Sequence, residues 1–328
     1  MKIAIMGATG VVGQEMLNAL VEENIDVTDL RLLASKRSVG KKVLFKNKEY
    51  SIEELNEKSF EGMDIVLGAV DEDISRMYAP FIKKTGAVYI DNSSAFRLDE
   101  DVPLVVPEIN GEDVKKHNGI IANPNCSTII TCMAVYPISK LSPIKSIIAS
   151  TYQAVSGAGK GGIDELAVQI TAIENGEEFT SSVFPYQIAY NCIPMIGSNK
   201  LEGYTSEEMK LENEGRKIMH LPNMNVTCTC VRVPVIRSHS ISVSLQCEKP
   251  LSVEEVRKAI SEFEHVKLVD DIDNKLFPMP IDTSNQNDIF VGRIRKDRVF
   301  DGGISLFCAG DQIRKGAATN AVQIIKCL

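Results

Sequence analysis

The sequence predicts an α/β fold: a doubly wound parallel sheet, followed by an α+β domain built on a mixed sheet. Three observations carry that prediction. Short apolar runs alternate with helical patterns up to about residue 140, and such alternation builds parallel sheets through crossover helices. A glycine loop, Gly7-Ala8-Thr9-Gly10-Val11-Val12-Gly13, directly follows the first run. Beyond residue 140 the runs are longer, richer in β-branched residues and partly alternating, which suits mixed or antiparallel pairing.

The elements follow in order. Residues 2–6 (KIAIM) read as a strand, and 14–23 (QEMLNALVEE) as a helix with apolar residues at 16, 17 and 20. Strands are expected at 29–35, 63–70, 87–92 and 119–123, with a helix over 75–86. Cys126 leads a helical pattern expected to end near Pro137, because proline breaks the hydrogen-bond ladder. In the second domain, 146–156, 226–236 and 240–248 read as strands. Residues 163–175 and 252–264 read as helices, the latter capped by Ser252. The stretch 176–205 reads as loop, and 315–328 as a last helix. The domain change is expected after Asn125: residues 1–125, completed by a C-terminal segment from about 310 to 328, and residues 126–309.

A chain of 328 residues is long enough for two cores without disulfide staples. The net charge of −8 argues against nucleic-acid or anionic-membrane partners, both of which favour basic patches. No apolar run approaches the ~20 residues of a membrane span. The N-terminal run is too short and too glycine-interrupted for a signal peptide. The eight cysteines are scattered, without C-x-x-C or zinc-like spacing, and this usage suits a reducing cytoplasm. Cys228 and Cys230 are expected on one face of a strand, unbridged.

A glycine loop between a strand and a helix has a physical use. Gly7, Gly10 and Gly13 let the backbone approach a pyrophosphate, while the helix start, with Thr9, Val11 and Val12, presents N–H donors. This is the Rossmann-like arrangement for a dinucleotide. The second strand runs into Ser35-Lys36-Arg37-Ser38 with no acid for a ribose 2′-hydroxyl. Ser35, Arg37 and Ser38 suit the 2′-phosphate of NADP; a solvated basic loop is the alternative. Cys126 stands at a helix start after Asn-Pro-Asn, where the N-terminal dipole favours a thiolate. A small buried residue is the plainer reading of any cysteine. A dinucleotide loop and an activated thiol together suggest thiolate attack on an acyl group or aldehyde, coupled to hydride transfer.

The runs GATGVVG, DNSSAFR (91–97), DVPLVVPEIN (101–110), NPNCST (123–128), STYQAVSGAG (150–159), EEMK (207–210), VRVPVIRSHS (231–240), FVGRIRKD (290–297) and KGAATNAVQI (315–324) occur in this order. With them the chain resembles the bacterial-type aspartate-β-semialdehyde dehydrogenases along its whole length. The resemblance implies NADPH-dependent reduction of L-aspartyl-4-phosphate to aspartate semialdehyde and phosphate. That reaction feeds lysine (through diaminopimelate), threonine, methionine and isoleucine synthesis. It implies Cys126 as nucleophile, His239 as general acid–base and Gln153 as orienting residue. Arg232 matches the carboxylate clamp and Glu207 the partner of the amino group, with Arg97, Asn125 and Lys210 at the phosphate. Ser156, Gly157 and Asn320 match the nicotinamide end of the cofactor site. A homodimer or homotetramer is implied as well. N-acetyl-γ-glutamyl-phosphate reductase and an inactive NADP-binding regulator are the rival readings. Asp71, Glu72 and Asp73 replace a small-residue run and place acids near the pyrophosphate; Ala309-Gly310-Asp311-Gln312 also departs from the commoner pattern, without touching the chemical residues. Arg232 and His239 are seven apart, so a straight strand would send them to opposite faces. A bend is therefore expected near Arg237-Ser238.

Overall fold

The computed structural model describes all 328 residues, which divide into two units: Met1–Asn125 with Ala317–Leu328, and Cys126–Gly316. The first unit is built on β1 (Lys2–Met6), α1 (Val11–Glu22), β2 (Asp29–Ala34), β3 (Lys42–Phe45), β4 (Lys48–Glu54), β5 (Ile65–Gly68), α2 (Glu72–Thr85), β6 (Val88–Asp91), α3 (Pro107–Asn110) and β7 (Ile120–Ala122). Its sheet runs β3-β4-β2-β1-β5-β6-β7, parallel except for the β3–β4 hairpin. The order reverses direction at β1, and in such sheets the crevice at the strand ends beside that reversal is where ligands bind. The hairpin lacks a strong sequence signal. Its turn uses Lys46 and Asn47, both with positive φ (46° and 63°), where the usual Asn-Gly would have announced it. Helix α1 starts at Val11 rather than at 14, because Gly10 already serves as its N-cap. Helix α2 likewise starts at Glu72, three residues earlier than expected. The C-terminal helix Thr319–Ile325 packs on α1 and is buried along its whole length.

The second unit holds α4 (Cys126–Leu141), β8 (Ile144–Gln153), α5 (Gly159–Asn175), β9 (Asn199–Leu201), β10 (Tyr204–Thr205), α6 (Glu208–Ile218), β11 (Asn225–Arg232), β12 (His239–Cys247), α7 (Val253–Ser261), β13 (Val266–Leu268), α8 (Pro280–Thr283), β14 (Ile289–Lys296) and β15 (Ile304–Gly310). Its six-stranded mixed sheet runs β11-β8-β12-β15-β14-β13, parallel only at β11–β8 and β13–β14. Helix α4 packs across β8, β12, β14 and β15. That is why α4 is buried almost all round, and why it runs past Pro137 to Leu141: packing outweighs the one hydrogen bond proline removes. The opposite sheet face leaves Ile148 and Tyr152 exposed. Ser252 does cap α7, in a reciprocal capping box with Glu255. Residues 310–316 belong to this second unit, so only the segment from Ala317 joins the first. No helix is long and apolar enough to cross a membrane.

Candidate active site

Three strands of the second unit bring the chemical residues into one row. β8 lies between β11 and β12; Arg232 is the register partner of Gln153 on one side. On the other side Ser240 pairs with Tyr152, which leaves His239 beside Gln153. A Cβ added at Gly157 would lie 2.8 Å from Arg232 Nη1 and 3.2 Å from His239 Cε1, so both side chains close on one glycine. Arg232 and His239 therefore converge despite their spacing. β11 ends at Arg232, the chain turns, and Ser238 adopts a positive φ of 74° immediately before β12 begins.

Two residues of the C-terminal departure hold that turn. The Ser238 amide donates to Gln312 Oε1 at 2.8 Å, and Gln312 Nε2 donates to Ser156 Oγ. Arg237 Nε donates to the fully buried Asp311 at 2.6 Å. Asp311 and Gln312 thus act through Arg237, Ser238 and Ser156, which neighbour the chemical residues. They brace the strained bend that carries His239, and no local sequence pattern reveals this because the partners lie 74 residues away.

His239 is fully buried, and the Ala154 amide donates to its Nδ1 at 3.0 Å. With Nδ1 acting as acceptor, the neutral ring carries its proton on Nε2. Burial, reinforced by the Arg232 guanidinium and opposed by Glu207, pulls its pKa from 6.5 down to about 3. Gln153 accepts from Thr151 at 3.0 Å and donates to Glu207 at 3.2 Å. Glu207 stands just before α6, and Lys210 donates to its other oxygen at 2.8 Å. The i, i+3 spacing of this pair is thus part of a chain Lys210–Glu207–Gln153. Arg232 is buried and donates from Nη1 to Ala154 O at 2.6 Å. Its pKa is lowered by burial, which outweighs the nearby Glu207 carboxylate and the thiols of Cys126 and Cys230. Cys126 is half-buried at the first position of α4, and a Cβ on Gly316 would approach its own Cβ to 3.1 Å. None of the cysteines is in a disulfide; the Cys228 and Cys230 sulfurs lie 3.8 Å apart.

In the first unit, the loop Gly7–Gly13 leaves no room for a side chain at Gly7 or Gly13. A Cβ on Gly7 would fall 2.1 Å from Ala69 O, and one on Gly13 would fall 2.3 Å from Gly7 O. Beside it lies a cavity of about 470 Å³ lined by Thr9, Ser35, Lys36, Leu55, Met77 and Tyr78, with Glu54 and Asp71. Apolar and aromatic side chains suit a base, and hydroxyls with an ammonium suit phosphates, so the residues present fit a dinucleotide. Val11 and Val12 open α1, with Val12 packed on the core. Ser35 reaches the cavity together with Lys36, while Arg37 and Ser38 lie in the one-turn helix that follows. Of the three acids, Glu72 turns to Arg76 and Ser94 and Asp73 is exposed; Asp71 alone lines the cavity. Glu54 was not foreseen; its signal is parallel pairing with Ala34, which tertiary structure alone reveals.

Arg97 is buried and donates to the carbonyls of Asn92 and Asn123, both at 2.9 Å. Asn125 is buried as well. Asn320 donates to Val105 O at 2.9 Å and to Asn123 Oδ1 at 2.7 Å, while its own buried Oδ1 has no partner. A buried orphan acceptor suits a ligand amide.

The family model "Semialdehyde dehydrogenase, NAD binding domain" matches residues 2–117, and "Semialdehyde dehydrogenase, dimerisation domain" matches 135–315. The aspartate-semialdehyde dehydrogenase of Aquifex aeolicus (strain VF5) is 50% identical over 331 residues, covering 100% of this chain and 97% of the relative. That of Bacillus subtilis (strain 168) is 47% identical, covering 99% and 96%. The solved structure of aspartate semialdehyde dehydrogenase II from Vibrio cholerae, complexed with ASA, superposes with a TM-score of 0.95 at 42% identity, over 100% of this chain and 97% of that one. These relatives carry the aspartate name, not that of the N-acetyl-γ-glutamyl-phosphate reductases. With matching models on both units and relatives matching end to end, the chain belongs to the semialdehyde dehydrogenase family.

Proposed function

We propose that the protein converts L-aspartyl-4-phosphate to L-aspartate 4-semialdehyde and phosphate, using NADPH, through a thioester on Cys126. The observation that carries this reading is the convergence of Gln153, Arg232 and His239 across β11, β8 and β12, with Cys126 near enough to interact electrostatically with Arg232. The Cys126 sulfur attacks the acyl carbon, the C–S bond forms, and the C–O bond to phosphate breaks; the departing phosphate takes up one proton. His239 presents its Nε2–H to the carbonyl oxygen, where negative charge collects as the carbon becomes tetrahedral. Gln153 orients the same group. Arg232 takes the α-carboxylate through its planar fork, and the half-buried Glu207 takes the free ammonium. That ammonium favours an aspartyl substrate, since an N-acetylated one offers Glu207 no charge. Lys210, Arg97 and Asn125 receive the phosphate. Gly7, Thr9, Gly10 and Gly13, with Val11, Val12, Ser35, Lys36, Arg37, Ser38, Ser156, Gly157 and Asn320, would hold NADP, which when bound supplies the hydride. Collapse of the resulting tetrahedral adduct returns Cys126 as thiolate.

Action as a homodimer is supported by the dimerisation-domain match and by the open sheet face around Ile148 and Tyr152. A cytoplasmic setting is supported by eight unbridged thiols. The deciding assay is phosphate-dependent NADPH formation from aspartate semialdehyde, repeated with NAD and with N-acetylglutamate semialdehyde. Faster turnover of the N-acetylated substrate would sink the aspartyl reading.

A further inference from the structure

We propose that Glu165 is a positioning residue for substrate. It fixes the segment 182–184, which seats Phe184 against Arg232 and so orients the guanidinium that reads the α-carboxylate. This rests on the clamp role proposed for Arg232.

Glu165 is buried in the middle of α5, and its partners are uncharged donors from the facing loop and from Gln169 of the same helix. Its Oε2 accepts from the Val183 amide at 2.6 Å, the Ser182 amide at 2.8 Å and Ser182 Oγ at 3.0 Å. Its Oε1 accepts from the Phe184 amide at 3.3 Å and from Gln169 Nε2 at 3.2 Å. Three consecutive backbone amides thus point at one carboxylate, a concave nest of N–H groups that selects negative charge. Burial raises its pKa, but the four loop donors outweigh that and hold it below the ordinary carboxylate value. One turn later, Gln169 Oε1 accepts from the Ile188 and Ala189 amides at 2.8 and 3.0 Å. The segment 181–189 forms no helix or strand, so these two side chains supply the partners a ladder would otherwise give.

Phe184 then meets the site. Its ring centroid lies 5.8 Å from Arg232 Cζ, within cation–π range. A Cβ on Gly162 would come to 3.1 Å from Phe184 Cζ and 2.3 Å from Val155 O, and one on Gly161 to 3.2 Å from Val183 Cγ2. The pair Gly161-Gly162 therefore lets the loop lie close against α5. Arg232 is also tied through its backbone, exchanging both amide bonds with Ile193 at 2.9 Å. A two-pronged clamp works only when its plane is fixed, and a ring held by Glu165 supplies that constraint.

The test uses the full-length enzyme in the direction of aspartate semialdehyde oxidation. Glu165→Gln, Phe184→Leu and Arg232→Leu are compared with wild type on aspartate semialdehyde and on 3-aminopropanal, which lacks the α-carboxylate. For Glu165→Gln and Phe184→Leu, KM for aspartate semialdehyde is expected to rise about tenfold, with kcat and the phosphate KM within about twofold. The preference for aspartate semialdehyde over 3-aminopropanal should fall by a similar factor. Phe184→Leu leaves the Glu165 bonds in place, so it decides the matter if Glu165→Gln does not fold. An unchanged preference in folded Phe184→Leu, or equal losses in kcat and both KM values, overturns the proposal. If Arg232→Leu keeps the wild-type preference, the clamp reading itself fails, and the role of Glu165 with it.

Discussion

Replacing Cys126 with serine is expected to lower turnover by about a thousandfold or more, since a serine hydroxyl stays protonated at neutral pH and is a far weaker nucleophile than a thiolate. The measurement is phosphate-dependent NADPH formation, with NADP binding followed in parallel by fluorescence titration to show that the cofactor unit is intact. His239 yields a second expectation at this scale. Its folded pKa, about 3, lies below its ordinary 6.5, because burial and Arg232 disfavour the charged ring. Between those values the unfolded chain binds a proton that the folded chain does not. The stability this residue contributes is therefore fully present above pH 6.5 and is lost as pH falls toward 3. The slope is about 1.4 kcal/mol per pH unit. Urea melts between pH 7 and 4 should show a shallower decline for His239→Gln than for wild type; parallel declines would mean that His239 is not held neutral. The chemical identity of these residues was legible from motifs, but the neutral state of His239 was not, because burial is a property of its neighbours.

At the level of elements, the bend between β11 and β12 decides whether the site exists. Gln312→Ala removes the acceptor of the Ser238 amide and leaves a buried donor unpaired, a cost of about 1–3 kcal/mol. The expected outcome is a lower melting temperature together with a lower kcat, since His239 is the next residue. Gln312→Glu keeps that acceptor and should recover much of the kcat; if both variants retain wild-type kcat, the bend does not depend on Gln312. The strand and helix patterns of the first unit were readable because each has a clean apolar period. The β3–β4 hairpin was not, since a Lys-Asn turn carries no glycine, and β14 and β15 gave no alternation strong enough to stand alone. Helix α4 outran Pro137 because its apolar surroundings, not its own sequence, set its length.

For the whole molecule, cofactor linkage offers the broadest check. NADP at about 100 times its dissociation constant should stabilise the folded protein by about 2.7 kcal/mol and raise its melting temperature. Gly13→Ala should abolish that shift, because the added Cβ would lie 2.3 Å from Gly7 O and deform the loop. A melting temperature of Gly13→Ala that still rises with NADP would show that the pyrophosphate does not rest on this loop. The sequence by itself determined the alternation that makes a parallel sheet, the loop that only glycine can form, and the thiol at a helix start. These are local properties, written in spacing and backbone freedom. Tertiary structure alone decided that Arg232 and His239 close on Gly157, that Asp311 and Gln312 brace the bend between them, and that Glu54 enters the nucleotide cavity from the neighbouring strand. Each of those depends on strand register and on partners far apart in the chain, which no single stretch of sequence encodes.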